Sequence, residues 1–144
     1  MRVLLDTNVL VSALISAHGA PATLLRAVGG ARFELITSHH QIDELTRVLA
    51  YPRIRARVTP ERAESLIAHL ASIAHAVEPM PGITDSPDPD DNIILGAAIA
   101  GRAQLIVSGD ASHMVSLGSV RGIPIVTPAE ALTSLRLDET RRSE

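Results

Sequence analysis

A chain of 144 residues with a formal net charge of -3 fits one domain, long enough to bury a substantial core and too short for two ordinary ones. Hydrophobic residues make up 46% of it, yet there is no Trp, one Tyr and one Phe, so the core rests on Leu, Ile, Val and Ala, and stacking of bases on aromatic platforms is largely excluded. The absence of Cys excludes disulfides, thiolate metal sites and a thiol nucleophile, and the N-terminus meets a charge too early for a secretory segment, so a protein of the reducing cytoplasm with no membrane partner is expected.

Val3-Leu4-Leu5 is a short apolar run of the kind that forms a buried parallel strand, and it stops at Asp6-Thr7-Asn8, which favour turns and helix caps. Val9 to Ile15 reads as a helix. His18-Gly19-Ala20-Pro21 breaks it, and Ala22 to Val28 supports another before Gly29-Gly30. Phe33 to Thr37 is the second strand. Ser38 followed by Gln41 has the form of a capping box, which starts a helix at His39 that runs to about Leu49, with Pro52 preventing continuation.

Thr59-Pro60-Glu61 opens a helix whose apolar face is Ala63, Leu66, Ile67, Leu70, Ile73 and Ala74. A weak strand at His75 to Glu78 leads into a proline-rich loop from Pro79 to Pro89, expected to lack a core of its own. Asp88-Pro89-Asp90-Asp91 begins a helix to about Ala100 that is apolar nearly all round, so it is expected to be buried on several sides. Leu105-Ile106-Val107 is a strand closed by Ser108-Gly109-Asp110. Pro124-Ile125-Val126 is another, and Thr127-Pro128-Ala129-Glu130 caps a last short helix before a polar, frayed tail from about Leu135.

Short apolar strands alternating with helices predict an α/β sandwich: a parallel sheet of four to five strands with helices on both faces. Ligands bind outside the carboxyl ends of the strands in such sheets. Asp6 ends the first strand and Asp110 follows the strand at Leu105, so both belong to that edge. The helix before that strand runs antiparallel to it, which brings its start, with Asp90 and Asp91, to the same edge. The helix after the second strand also begins there. At ~100° per residue, its core stripe is Ile42, Leu45, Val48 and Leu49; Glu44 borders that stripe while Asp43 points away. The same count turns Asp91 inward, over Ile94, Leu95 and Ala98.

Carboxylates of Asp6, Glu44, Asp91 and Asp110 converging on one edge would repel and raise one another's pKa unless a cation were present. Oxygen-only ligands suit Mg²⁺ or Mn²⁺, and such an ion activates water and neutralises charge on a phosphodiester under in-line attack. Each acid also has a plain structural reading: Asp6 as a helix cap, Asp88 and Asp91 as partners in a capping box, Asp90 as a complement to the helix dipole, Glu44 as an exposed helix residue, Asp110 as a turn residue. His39, His40 and His113 lie near the same edge as weaker ligand candidates.

In this order, Asp6-Thr7-Asn8 after an apolar strand, Glu44 within Gln41-Ile42-Asp43-Glu44-Leu45, Asp88-Pro89-Asp90-Asp91-Asn92 before a buried helix, and Ser108-Gly109-Asp110 after a strand resemble the PIN domain. The resemblance covers roughly residues 1 to 132 and is strongest to the PIN-family toxins of toxin–antitoxin systems; 133–144 is left as a polar C-terminal tail. It implies a Rossmann-like three-layer fold and a Mg²⁺- or Mn²⁺-dependent endoribonuclease, with an antitoxin as inhibitor and a homodimer or higher oligomer as the assembly. Asp6, Glu44, Asp91 and Asp110 would form the acidic quartet, supported by hydrogen bonds from Asn8 and Ser108. After Asp110, Ala111-Ser112-His113-Met114 stands where relatives commonly carry a second acid.

All 13 basic residues are Arg, and Arg47, Arg53, Arg55 and Arg57 cluster. They form either a solvated face or a set of contacts to RNA phosphates. A catalytically silent fold that binds RNA or a protein is the alternative to an enzyme. A phosphoacceptor receiver domain also gathers acids at a sheet edge, but it wants a Lys that this chain lacks.

Overall fold

The computed structural model describes residues 1–29 and 32–137. Strands β1 (Arg2–Leu5), β2 (Glu34–Thr37), β3 (His75–Ala76), β4 (Leu105–Val107), β5 (Ser119–Val120) and β6 (Ile123–Val126) form one sheet in the order β3-β2-β1-β4-β6-β5. Every pairing is parallel except that of β5 with β6. Helices α1 (Thr7–Ile15), α2 (Ala20–Gly29), α3 (His39–Leu49), α4 (Pro52–Arg55), α5 (Pro60–Ile73), α6 (Pro89–Ala100) and α7 (Pro128–Ser134) complete the chain.

Strand alternation divides the core. Val3, Leu5, Leu35, Leu105 and Val107 join α1 to α5 and α7 in one apolar cluster, while Leu4, Ile36, Ile106 and Ile125 meet α6 in another. Successive side chains of a strand point to opposite faces, so these short runs are apolar throughout because both faces are covered. Among the described residues α6 is the only α-helix contributing to the cluster on that face, which explains why Ile94, Leu95, Ala97 and Ala98 are all buried.

The sheet agrees with the α/β expectation and differs in detail. Helix α1 begins at Thr7 rather than Val9, directly after Asp6 as its N-cap. The break between the first two helices is there, but α2 begins at Ala20 rather than Ala22, so Pro21 sits in its first turn, a position where its missing N–H costs nothing. Pro52 stops α3 and then opens the short α4. Ile73, expected on the apolar face of α5, is 38% exposed because the helix ends there.

The sixth strand, β5, is only two residues long and was not expected. It returns to β6 through Arg121 and Gly122, both at positive φ (45° and 81°), which is the backbone that a two-residue hairpin requires. The proline-rich loop is not free of core: Ile83 and Ser86 are buried, and the Met80 N–H donates to the Gly96 carbonyl at 3.0 Å. Leu137 is buried against the α2–α7 side, so packing continues past residue 132; of the expected polar tail, residues 138–144 lie outside the described residues.

Candidate metal centre at the carboxyl edge of the sheet

The chain runs from β1 outward to β2 and β3, then returns across β1 to β4 on its other side. Strand order therefore reverses between β1 and β4, and the crevice at such a switch point is where open α/β sheets bind ligands. Register does the rest: Leu5 pairs with Val107, so the next residues, Asp6 and Ser108, emerge side by side. The Asp6 N–H continues the ladder to the Val107 carbonyl at 2.8 Å. The Ser108 hydroxyl donates to Asp6 Oδ2 at 2.8 Å.

Asp6 is 5% exposed. Its Oδ1 accepts the Thr7 N–H at 2.8 Å, capping α1, and Oδ2 also accepts from the Asn8 amide at 3.2 Å. Asn8 in turn accepts the Gly109 N–H at 2.9 Å, and Ser108 Oγ accepts the Asp110 N–H at 3.0 Å. A closed set of neutral donors thus holds the ends of β1 and β4 together. Burial, with smaller contributions from the Asp91 and Glu44 carboxylates, pushes the Asp6 carboxyl from its ordinary 3.8 up to about 6, against the Ser108 and Thr7 hydrogen bonds.

Glu44 arrives through α3. Ser38 caps that helix by accepting the Gln41 N–H at 3.1 Å, but the reciprocal half of the expected capping box is not made. Gln41 instead donates to the Leu5 carbonyl at 2.6 Å and accepts the Thr37 hydroxyl at 2.7 Å. Buried Gln41 therefore ties the first turn of α3 to the ends of β1 and β2, and Glu44, on the same helix face one turn later, accepts the Thr7 hydroxyl.

Asp91 enters from α6. Asp88 caps that helix through the Asp90 N–H at 2.9 Å, while its own N–H goes to Ser86 Oγ at 3.1 Å. Asp91 is thus not the reciprocal member of a capping box; its Oδ2 accepts the Ser86 hydroxyl at 3.1 Å. Ser86 is locked by two bonds with Asn92, both 2.9 Å. Partial burial raises the Asp91 carboxyl, the Ser86 hydrogen bond lowers it, and Asp88 and Asp110 raise it again.

Asp110 behaves differently. Its Oδ1 accepts the Ser112 N–H and hydroxyl, each at 3.1 Å, and the His113 N–H at 3.0 Å, and these bonds, led by that of His113, hold its carboxyl below the usual range. One oxygen serves the turn, as the plain reading of this residue expected. Oδ2 faces His113 Nδ1 at 3.7 Å, and donor atoms of Asp91, Asp110 and His113 all lie within 4.8 Å of one another.

Asp6, Glu44 and Asp91 line a cleft of about 360 Å³ with Thr7, Asn8, Val11, Ser12, Val48, Ile54 and Arg53. Asp110 does not line the cleft; it stands just outside it, beside Asp91, with a carboxylate oxygen of each within 4.8 Å of the other. Among the arginines expected to meet RNA, Arg53 lines this cleft and Arg47 lines an adjoining groove with Asp43, Glu44 and Asp90. Arg55 donates from Nε to the Leu49 carbonyl at 3.1 Å, and Arg57 is exposed. Thr7, Gln41, Ser86 and Asn92 went unnoticed as site residues in the sequence. Gln41 had a signal, a polar side chain in phase with Leu45; Ser86 had none, because its loop has no period.

Among the described residues, the donor atoms that come within 4.8 Å of one another are those of Asp91, Asp110 and His113; Asp6 and Glu44 share the cleft with Asp91 but are not part of that group. Asp6 is buried among neutral hydrogen-bond donors and two further carboxylates, an arrangement that an oxygen-preferring dication would relieve.

Fold and cleft together define an α/β protein with an acidic centre at the switch point of its sheet. Residues 2–112 match the model of the PIN domain, and the chain belongs to that family, whose members are typically nucleases. It is 27% identical over 118 residues, 81% of this chain and 75% of the other, to an uncharacterised protein of Methanocaldococcus jannaschii. Among solved structures it is similar to a chain of VapBC2 from Rickettsia felis bound to a DNA fragment from their promoter, at 15% identity and a TM-score of 0.60, covering 88% of this chain and 98% of that one. At that identity the likeness concerns the fold. No single helix among the described residues is long and apolar enough to cross a membrane.

Proposed function

We propose that this chain is a metal-dependent endoribonuclease of the cytoplasm, the toxin component of a type II toxin–antitoxin system. The observation that carries the enzymatic reading is the buried Asp6 carboxylate, raised to about 6 with Asp91 and Glu44 as its charged neighbours. Asp6, Glu44 and Asp91 would hold Mg²⁺ or Mn²⁺, with Asp110 just outside the cleft. Such an ion, when bound, activates water and offsets the charge that builds on a phosphodiester in the transition state.

The protein's own groups supply position. Ser108 and Asn8 fix Asp6 Oδ2, Thr7 orients Glu44, and Ser86 orients Asp91. Arg53, on the wall of the cleft, would pair with a phosphate of the RNA beside the bond to be cut, while Val48 and Ile54 would offer an apolar surface to the sugar or base. Cleavage by attack on phosphorus leaves a 5′-phosphate and a 3′-hydroxyl. An antitoxin as inhibitor and a homodimer or higher oligomer as the assembly belong to the same reading; the likeness to a chain of the VapBC2 structure supports the antitoxin.

Purified protein with Mn²⁺ and end-labelled RNA tests this reading: the wild type cuts and Asp6→Asn does not. Equal cutting by both would assign the activity to a contaminant and remove the proposal. RNA retained in a gel but intact with every divalent ion would make the chain a silent binding fold.

A further inference from the structure

Just outside the cleft, beside Asp91, the Asp110 turn carries a nitrogen donor. His113 follows Asp110 by one turn, and the turn is built to keep it there. Asp110 Oδ1 accepts the His113 N–H, the Val115 N–H closes on the Asp110 carbonyl at 2.9 Å, and the adjacent Met114 is fully buried in the α6-side core. The backbone is therefore anchored on both sides while the imidazole, with its side chain 52% exposed, is free to turn. It turns over the two carboxylates: one donor atom each from Asp91, Asp110 and His113 fall within 4.8 Å of one another.

Donors that share a six-coordinate ion with bonds of ~2.1 Å stand about 3 Å apart when adjacent and about 4 Å apart when opposite. The donor atoms stand at most 4.8 Å apart, less than about 1 Å more than opposite ligands and up to about 2 Å more than adjacent ones, a gap that the exposed ring and the carboxylates close by turning. Asp110 is also prepared for it, since its turn-holding bonds all fall on Oδ1 and leave Oδ2 facing the ring.

We infer that His113 is a metal ligand, and that with Asp91 and Asp110 it makes the position just outside this cleft a mixed oxygen and nitrogen site selecting Mn²⁺ over Mg²⁺. The chemical reason is that Mg²⁺ prefers oxygen ligands and keeps its waters, whereas imidazole nitrogen adds affinity for first-row transition ions. The inference rests on the reading of the acidic cleft as a metal centre and adds to it the identity of the ion.

Metal binding by the full-length protein without RNA tests it. Mn²⁺ and Mg²⁺ are titrated calorimetrically, and the Mn²⁺ complex is examined by pulsed electron paramagnetic resonance for coupling to ¹⁴N. The wild type should show imidazole coupling, and His113→Ala should lose it while Mn²⁺ affinity falls at least about tenfold and Mg²⁺ affinity stays within about twofold. His113→Asp should restore Mn²⁺ binding without the nitrogen signal and tighten Mg²⁺. Circular dichroism establishes that both variants are folded. Mn²⁺ bound by the wild type with no nitrogen coupling, or coupling that survives in His113→Ala, overturns the inference and leaves the acidic metal centre standing. Failure of the wild type to bind either ion overturns both.

Discussion

Inside the cleft, Asp6 is 5% exposed and burial pushes its carboxyl up; just outside it, the Asp110 side chain is 29% exposed and backbone N–H groups hold its carboxyl down. The two acids are joined by one hydroxyl, that of Ser108, which donates to Asp6 and accepts from the Asp110 N–H. The inner position concentrates negative charge where water cannot screen it, so the gain from a cation is largest there. The outer position is already solvated by its own turn, so it influences which ion sits there more than whether one binds.

The largest expected effect separates the two positions directly. Asp6→Asn should lower the rate of RNA cleavage by about 10³-fold or more, equivalent to about 4 kcal/mol, whereas Asp110→Asn should lower it by about 10- to 100-fold. Single-turnover rates with saturating Mn²⁺ measure both, and equal losses would erase the distinction.

Next comes pH. The folded Asp6 carboxyl titrates near 6 against 3.8 unfolded, so between these values the folded state holds more protons and the metal-free protein loses stability as pH rises. The loss through this group is up to about 3 kcal/mol, complete above about pH 6, and Asp91 is shifted in the same direction. Asp110, shifted down, contributes in the opposite sense: its stabilisation is present above its ordinary pKa and lost as pH falls. Urea melts of the metal-free protein from pH 4 to 7 should show a net fall for the wild type and a flatter curve for Asp6→Asn, which at pH 7 should be the more stable by about 1 to 2 kcal/mol. Mn²⁺ should reverse that order.

A smaller effect comes from the strap that carries Ser86. A Cβ at Gly96 would stand 2.4 Å from the Met80 carbonyl oxygen, so Gly96→Ala must push the 79–89 segment off α6. It should cost about 2 kcal/mol of stability and weaken Mn²⁺ binding by loosening Asp91, measurable by denaturation and calorimetry. Normal Mn²⁺ affinity in that variant would show that Asp91 is held by α6 alone.

The smallest effect concerns the arginines. Arg53→Ala should weaken RNA binding by about 1 kcal/mol and reduce the salt slope by about 1. Arg55→Ala should leave both unchanged, because its Nε holds the Leu49 carbonyl. Filter binding at several salt concentrations distinguishes them.

Local sequence determined most of the elements, though not α4 or β5, and the edge they share. Apolar triplets such as Val3-Leu4-Leu5 and Leu105-Ile106-Val107 read as buried strands because both faces of the sheet are covered, and caps such as Ser38, Thr59 and Thr127 marked helix starts where their hydroxyls accept a free N–H. Helical phase was enough to prefer Glu44 over Asp43 as a candidate, since the angle per residue is a property of the backbone itself. Only tertiary structure decided what those side chains meet. Gln41 left its own cap for the Leu5 carbonyl, and Ser86 reached Asp91 from a loop without periodicity. His113 came within reach of two carboxylates that lie on separate segments. A hydrogen bond between distant segments depends on strand register and crossover, which a chain acquires only when its strands pair, so no local pattern could have announced it.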